Sequence, residues 1–321
     1  MNRRNIFATL TLSLLASSAP FALAQDREGP ITIVVPFPAG GPSDLMARVL
    51  GEAVTKDSGK VVIVDNKPGG VAQIAANAVK QSPAGSLNLM LGDWGALGSN
   101  KALYKSLSYD PLTDFEPITT FMSFPIVLVV NAKSPANTVK ELVAQVSVKG
   151  STYASQGNGT AGHILGAMFK KQFNLDIEHV PYKGSGPAMQ DLLGGQVGLL
   201  FEALPAALQG VKSGQLKALA VMSQQRNGLL PDVPTATEAG MAGMDMDVWF
   251  GIVARKGLPK ERIASLNKMF VDALKSPAVA TRFQALGYRM MPKSPDEFAS
   301  FMKSESVRWS EVIRINQISA E

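Results

Sequence analysis

Short runs of aliphatic and β-branched residues alternate with stretches of helical periodicity along most of this chain of 321 residues. The first run, at residues 31–35, ends at Pro36, and Leu45, Val49 and Leu50 follow it at helical spacing. Further runs begin near residues 60, 87, 152, 178, 196 and 216. This alternation is typical of a chain with a largely parallel sheet, so we predict an α/β fold.

No flexible linker, internal repeat or low-complexity tract divides the chain, although its length suffices for two domains. This favours two lobes joined by strands that cross between them, and we predict the crossings near residues 124–130 and 248–253. The first lobe is then discontinuous, with boundaries 25–125 plus 250–321, and the second lobe is 126–249. Ser294 and Glu297 match a capping box, which predicts a final helix.

The first 24 residues have the parts of a secretory signal peptide. Arg3 and Arg4 precede an apolar stretch at residues 6–15, and small residues Ala22 and Ala24 lie at its end. No later stretch approaches the roughly 18 consecutive apolar residues that a membrane-spanning helix needs. We therefore expect residues 1–24 to be removed and the rest of the chain to work outside the cytoplasm.

The composition excludes several kinds of chemistry. The chain has no Cys, which excludes disulfides, thiolate metal sites and thiol nucleophiles. It has only two His, which argues against a multi-histidine metal centre. A net charge of +5 with scattered signs and 7% aromatic residues does not predict a nucleic-acid surface. We expect no metal, no cofactor and no nucleic-acid partner.

Small residues concentrate in turns that follow predicted strands. In an open parallel sheet such turns lie beyond the carboxyl ends of the strands, where ligands bind. Glycine lets the backbone approach a ligand, and a helix N-terminus presents unpaired N–H groups. Two such turns that face each other across a cleft would hold a carboxylate. The turns are at residues 37–44, 66–70, 92–95, 155–160 and 182–186.

Several side chains near these turns are candidates for ligand contact. His163, one turn into its predicted helix, is placed to donate to a ligand, whereas His179 is expected to be structural. Lys183 stands in a glycine-rich turn that faces the predicted cleft. Trp94 either forms a wall of the site or packs in the core, and Glu202 either accepts a hydrogen bond from an amine or orders a loop.

Two enzyme alternatives have weaker support. Residues 157–162 form a G-x-G-x-x-G sequence before a helix, as in dinucleotide sites. However, residues 152–155 are polar for a central strand, and Glu178 begins its strand where a ribose-binding acid would end it. The sequence also lacks a hydrolase signature. It has no G-x-S-x-G sequence, and no pair of acidic residues is singled out by its spacing.

Five segments together resemble the extracytoplasmic receptors of tripartite tricarboxylate transporters, the TctC or Bug family. The resemblance covers essentially the whole chain after the signal peptide. The segments are PFPAGG at 36–41, YKSLSYDPLTDFEPI at 104–118, SQGNGTAGH at 155–163, VPYKG at 180–184 and LPDVPTATEAG at 230–240.

The resemblance implies a two-lobed periplasmic binding protein fold, the Venus-flytrap architecture of class II type, with a hinge of crossing strands. It implies a periplasmic, non-enzymatic, monomeric receptor that captures a small carboxylate and passes it to the membrane permease subunits of a tripartite tricarboxylate transporter. A receptor that feeds a sensor kinase and an exported carboxylate-processing enzyme are the alternatives.

The resemblance also implies that the turns at 37–44 and 155–163 grip the carboxylate, partly through ordered water. The chain departs from the family at Glu202-Ala203, where relatives tend to have Asp-Asn, and at Asp93-Trp94, where small hydroxyl residues are usual. We therefore expect a dicarboxylate or an aromatic carboxylate, with Trp94 at its distal end. The predicted ligand-binding residues are Phe37, Ala39, Gly40, Gly41, Ser43, Asp44, Asp93, Trp94, Ser155, Gly157, Asn158, Gly159, Thr160, His163, Lys183 and Glu202.

Overall fold

The computed structural model of the protein describes residues 29–148 and 150–320. The predicted signal peptide, residues 1–24, lies outside the described residues. The strands are β1 Ile31–Val35, β2 Val62–Asn66, β3 Asn88–Asp93, β4 Phe115–Asn131, β5 Thr152–Ser155, β6 Glu178–Pro181, β7 Leu199–Ala203, β8 Leu216–Val221, β9 Asp247–Arg255 and β10 Arg289–Met290. The α-helices are α1 Pro42–Ser58, α2 Gln73–Lys80, α3 Asn100–Leu103, α4 Val139–Val146, α5 Ala161–Gln172, α6 Ser185–Gly194, α7 Leu204–Lys212, α8 Lys260–Lys275, α9 Pro277–Gln284 and α10 Pro295–Asn316.

The strands form a mixed sheet in two halves. Its order is β2-β1-β3-β9-β4-β7-β5-β6, and β8 and β10 also pair with β4. The first half contains β1, β2, β3, β9 and β10, with β1 parallel to β2 and β3. The second half contains β5 to β8, with β5 parallel to β6 and β7. The predicted α/β class is confirmed.

Strand β4 belongs to both halves. Its residues 115–125 pair with β9, and its residues 126–131 pair with β7 and β8. Register shifts interrupt both ladders, and such bulges bend and twist a strand. The strand passes between the halves at the segment where the sequence predicts a crossing. The other predicted crossing, residues 248–253, pairs with β3 and β4 in the first half, so the chain returns before β9 begins.

Helix α10 packs across the sheet at the junction of the halves. It begins at the predicted capping box, in which the Ser294 hydroxyl and the Glu297 carboxylate each accept a backbone N–H. Its buried face includes Phe298 and Trp309. Gly251 of β9 lies directly under this helix, because a Cβ added to Gly251 would stand 2.3 Å from Cζ of Phe298. The helix and the sheet therefore approach closely only because this residue has no side chain.

Among residues 29–148 and 150–320, no helix has both the length and the apolar character required to cross a bilayer.

We predict that Gly251→Ala lowers the free energy of unfolding by about 1–3 kcal/mol, because the new methyl group overpacks the contact with Phe298. Urea unfolding of the purified protein measures the change. Gly228→Ala is the matched control, since nothing lies within 4 Å of a Cβ at Gly228. Equal stability of the two variants would contradict the close packing of α10 on β9.

Candidate functional site

The predicted turns collect at the carboxyl ends of the parallel strands in both halves. In the first half, residues 36–41 join β1 to α1, and Asp93 ends the neighbouring strand β3. In the second half, residues 156–160 join β5 to α5, and residues 182–184 join β6 to α6. These two groups of turns are the candidate ligand site.

Asp44 organises the turn in the first half. Its side chain is buried, with 4% of the residue exposed, and its Oδ2 accepts hydrogen bonds from the Gly40 amide and from Nε of Arg48, both at 2.9 Å. Asn66 donates to the carbonyl of Phe37 at 3.1 Å. The bonds from Arg48 and Gly40 lower the pKa of Asp44 to about 2. Asp44 therefore stabilises the turn, and it accepts the amide of Gly40, which is one of the predicted ligand-binding residues.

Other amides of this turn remain available. Among the described residues, no hydrogen bond engages the backbone N–H of Ala39, or those of Ser43 and Asp44 in the first turn of α1. A helix begins with N–H groups that have no acceptor within the helix, and they carry a partial positive charge. The start of α1 can therefore donate to an anion without a charged side chain.

Asp93, the last residue of β3, and Trp94, which follows it, differ in their surroundings. Asp93 accepts a hydrogen bond from the Ala96 amide at 2.9 Å, and burial raises the pKa of its carboxyl. Trp94 is only 2% exposed and packs edge-on against Trp309 of α10, with ring centroids 5.0 Å apart. The structure thus places Trp94 in the core, which is one of the two alternatives for this residue. In that position its ring presents no open face as a ligand wall.

Side chains of the turn after β5 are bonded within the turn. Ser155 is fully buried; its Oγ lies 3.1 Å from both the amide and the carbonyl of Gly157 and 2.6 Å from Nε2 of His179. Thr160 caps α5 by accepting from the His163 amide, and its hydroxyl donates to the Gly157 carbonyl at 2.7 Å. Ser155 and Thr160 are among the predicted ligand-binding residues, and here their hydroxyls hold the turn in shape.

Three aromatic rings stack beneath this turn. The His179 ring lies between Tyr153, at 4.8 Å, and His163, at 4.3 Å between centroids. Nδ1 of His163 accepts the Gly159 amide at 3.1 Å, so the ring proton of neutral His163 is on Nε2. Burial lowers the pKa of His163, and burial together with the nearby His163 lowers the pKa of His179 to about 4. Both rings are therefore uncharged at neutral pH.

Glu202 lies at the end of β7, between the first turns of two helices. It is 1% exposed, and its Oε1 accepts from the Ala203 amide at 2.7 Å and from the Ser185 hydroxyl at 3.0 Å. Its Oε2 is buried and has no hydrogen-bond partner among the described residues. Burial raises the pKa of this carboxyl. The nearby predicted residues Asn158 and Lys183 are exposed.

Tyr104 of the first half contacts the turn after β5 in the second half, and the predicted residues do not include it. A Cβ added to Gly159 would lie 2.7 Å from the Tyr104 hydroxyl oxygen. Tyr104 follows α3 in the first half, whereas Gly159 precedes α5 in the second. Its only signal in the sequence is that it begins the family-like segment at 104–118. The pairing with Gly159 is a tertiary contact across 55 residues of chain.

The glycines of the G-x-G-x-x-G sequence have local packing roles. A Cβ added to Gly162 would lie 2.7 Å from the Phe201 carbonyl and 2.4 Å from Oε1 of Gln156. Gly162 therefore lets α5 pack closely on β7. Glu178 is exposed and begins β6, so the acid stands at the end of the strand opposite to a ribose-binding position. The structure does not support the dinucleotide alternative.

Two further observations bear on what the site can hold. Across residues 29–148 and 150–320, no group of three or more His, Asp or Glu side chains is arranged to hold a metal ion. A cavity of about 540 Å³ lies elsewhere, lined in part by Trp249, Phe301 and Glu305. Its three arginines already form ion pairs, Arg226 with Glu238, Arg289 with Asp247 and Arg308 with Asp245. The strand-end turns, with their available amides, suit a carboxylate better than this cavity does.

The chain is similar to known proteins over most of its length. The chain matches the family model described as tripartite tricarboxylate transporter family receptor over residues 46–318. Protein BugT of Bordetella pertussis is 34% identical over 319 residues, which cover 98% of each chain. A solved R. palustris protein with adipate has a TM-score of 0.82 and 31% identity, covering 90% of this chain and 98% of that one. MatC from Rhodopseudomonas palustris with bound malate has a TM-score of 0.79 and 29% identity, covering 88% and 98%.

We predict that Asp44→Asn destabilises the protein at neutral pH and that its deficit relative to the unmutated protein shrinks as the pH falls from 4 toward 2. The pKa of Asp44 is about 2 in the folded chain and near 3.8 ordinarily, so its ionised form stabilises the fold above pH 3.8 and loses that effect as the folded group titrates. Thermal unfolding across this pH range measures the deficit.

The matched control is Asp57→Asn, which removes one charge from an exposed position of the same helix. A deficit of Asp44→Asn that does not change with pH would show that the carboxylate does not stabilise the turn through its charge.

Proposed function

The chain belongs to the tripartite tricarboxylate transporter family of receptors, and we propose that it captures a small dicarboxylate in the periplasm for uptake by membrane permease subunits. The observation that carries this proposal is the structural match, over about nine tenths of the chain, to proteins solved with adipate and with malate. Both of those molecules are aliphatic dicarboxylates. The proposed role is binding and delivery, not catalysis.

The proposed cleft lies between two lobes, with residues 25–125 plus 250–321 in the first lobe and 126–249 in the second. Strand β4 provides the hinge, since it pairs with strands of both halves of the sheet. The turns of the candidate site would then face each other across the cleft. A ligand that contacts both turns shifts the population toward the closed state, whereas a ligand that contacts one turn does not.

The donors available in the site suit a carboxylate. The start of α1 offers the amides of Ser43 and Asp44, and the start of α5 offers those of Ala161 and Gly162, which have no acceptor among the described residues. Helix N-termini bind anions through such amides. The Nε2–H of His163 adds a neutral side-chain donor. These groups are fixed by the fold, so few side chains need to be ordered when the ligand binds.

The position of Trp94 bears on the ligand class. An aromatic carboxylate was expected because Trp94 would offer its ring to the ligand. In the structure this ring packs against Trp309 in the core. The case for an aromatic ligand therefore loses its main support, and an aliphatic dicarboxylate is the ligand that we propose.

We predict that a thermal-shift screen of the chain without residues 1–24 gives its largest shift with an aliphatic dicarboxylate. A ligand at about 100 times its dissociation constant adds about 2.7 kcal/mol of stability, which raises the melting midpoint by several degrees. The panel contains aliphatic and aromatic mono-, di- and tricarboxylates, amino acids and NAD.

A shift with NAD alone would overturn the receptor proposal in favour of the dinucleotide alternative. Shifts confined to aromatic carboxylates would retain the receptor but contradict the proposed ligand class. Turnover of a bound carboxylate by the purified protein would show an enzyme.

We predict that Gly159→Asp weakens dicarboxylate binding by about tenfold or more, equivalent to about 1.4 kcal/mol, and reduces ligand-induced compaction. The new side chain would clash with Tyr104, where the first half contacts the turn after β5. Calorimetry measures the affinity, and small-angle scattering with and without ligand measures the compaction.

Gly214→Asp is the matched control. Gly214 has a similar positive φ of +72°, against +77° for Gly159, but nothing lies within 4 Å of its Cβ position. Any effect of backbone strain alone therefore appears in both variants. Unchanged compaction in Gly159→Asp would refute closure across this contact.

A further inference from the structure

Glu202 is an unusual side chain for the interior of an α/β protein. It shares a face of β7 with Leu200, whose cluster includes Ala188 of α6 and Leu204 of α7. An ionised carboxylate in such surroundings needs a cation or a full set of donors. Glu202 forms no ion pair among the described residues. The nearby side-chain amide of Gln156 partly offsets the rise in the pKa of Glu202 that burial causes, but Oε2 of Glu202 has no hydrogen-bond partner among the described residues.

The charged and titratable groups on the surrounding elements do not compensate a negative charge on Glu202. Lys183 before α6 is exposed, and Lys212 lies in the last turn of α7, at the opposite end of that helix from Glu202. Asp191 of α6 is acidic and accepts the hydroxyl of Tyr182 at 2.5 Å. His163 of α5 is held neutral, and the described part of β4 opposite Glu202 carries the apolar Val127.

The hydrogen bonds distinguish the two oxygens of Glu202. Oε1 accepts from both the Ala203 amide and the Ser185 hydroxyl. A neutral carboxyl then carries its proton on Oε2, which becomes a hydroxyl donor. That donor has no acceptor among the described residues. A buried donor without an acceptor is costly, so this atom is set up to meet an oxygen that is absent from the chain itself.

The location of Glu202 associates it with the ligand turn after β5. The carbonyl of Gln156 in that turn accepts the Gly184 amide at 3.1 Å, next to the Ser185 that contacts Glu202. The side-chain amide of Gln156 also donates to the carbonyl of Phe201, the neighbour of Glu202 in β7. These hydrogen bonds therefore link the carboxyl ends of β5, β6 and β7 to one another.

We propose that Glu202 contacts the bound ligand as a neutral carboxyl, with its Oε2 hydroxyl donating a hydrogen bond to a carboxylate oxygen of the ligand. This inference rests on the proposed function and adds a residue that selects for the charge of the ligand. A neutral donor forms a strong, charge-assisted bond with a carboxylate. An ionised Glu202 would instead repel the same ligand.

The proposal makes the affinity depend on pH. Burial already raises the pKa of Glu202 in the free protein, and a bound carboxylate raises it further by favouring the protonated form. Binding is therefore strongest below the pKa of Glu202 and weakens above it. Replacement by Gln keeps a donor at this position and removes the titration.

The test measures the dissociation constant of adipate by calorimetry from pH 5.5 to 8.5 for the unmutated protein, Glu202→Gln and Glu178→Gln. We expect the ratio of the unmutated to the Glu202→Gln constant to rise about tenfold per pH unit above the Glu202 pKa. Glu178→Gln, which neutralises an exposed Glu of the same half, should follow the unmutated protein. The ratio cancels the titration of adipate itself.

Infrared difference spectra of the ligand-free proteins test the protonation state without any ligand. We expect that subtracting the spectrum of Glu202→Gln from that of the unmutated protein at pH 6 leaves a carbonyl band of a neutral carboxyl, whereas subtracting the spectrum of Glu178→Gln leaves none. Any band of the buried Asp93 cancels in both subtractions. For the unmutated protein, adipate should shift this band. A missing band, a missing shift with bound adipate, or a binding ratio that does not vary with pH overturns the proposal.

The failure of this inference differs from the failure of the proposed function. If no carboxylate binds the unmutated protein, the receptor proposal fails, and with it the ligand contact of Glu202. If carboxylates bind but the ratio of the dissociation constants of the unmutated protein and Glu202→Gln does not change with pH, only the role of Glu202 fails. Preferential binding of cationic amines that is lost in Glu202→Gln would show an ionised Glu202 that accepts hydrogen bonds, which also overturns the inference.

Discussion

The backbone ladder of β4 is the interaction on which the rest of the structure depends. Buried backbone N–H and C=O groups must be paired, and β4 meets this requirement with β9 over one part of its length and with β7 and β8 over the other. One strand thereby sets the position of both halves of the sheet. Its bulges, which lie on both sides of the junction between the halves, bend and twist the strand there.

In the candidate site, side chains hold the turns in shape, and backbone amides are the groups available to a ligand. Asp44, Ser155 and Thr160 turn inward and hold the two turns in shape through short hydrogen bonds. The amides at the starts of α1 and α5 are left to donate outward. Backbone donors cannot change rotamer, so a site built from them is ordered before the ligand arrives. Asp44 and Glu202 each have one buried oxygen without a hydrogen-bond partner among the described residues, but Asp44 is paired with Arg48 whereas Glu202 has no ion-pair partner there.

Much of the fold was predictable because it is encoded locally. Runs of apolar and β-branched residues placed the starts of seven strands within a few residues of their observed positions, and the capping box located the start of α10. The first part of β4 was missed because residues 115–123 contain Pro117 and several polar residues, so they lack the apolar pattern that predicts a buried strand. Their partner is β9, more than 120 residues later in the chain. Tyr104 was missed for the same reason, since its contact with Gly159 exists only after both halves have folded.

The sequence by itself determined the α/β class, the glycine-containing turns at the strand ends and the family resemblance, because each depends on residues that are close together in the chain. The tertiary structure decided where the side chains at those strand ends point. Trp94 turns into the core because α10, some 200 residues away, supplies Trp309 as its partner. Glu202 is buried because two helices begin beside it. Burial depends on which distant elements cover a position, and no local pattern contains that information.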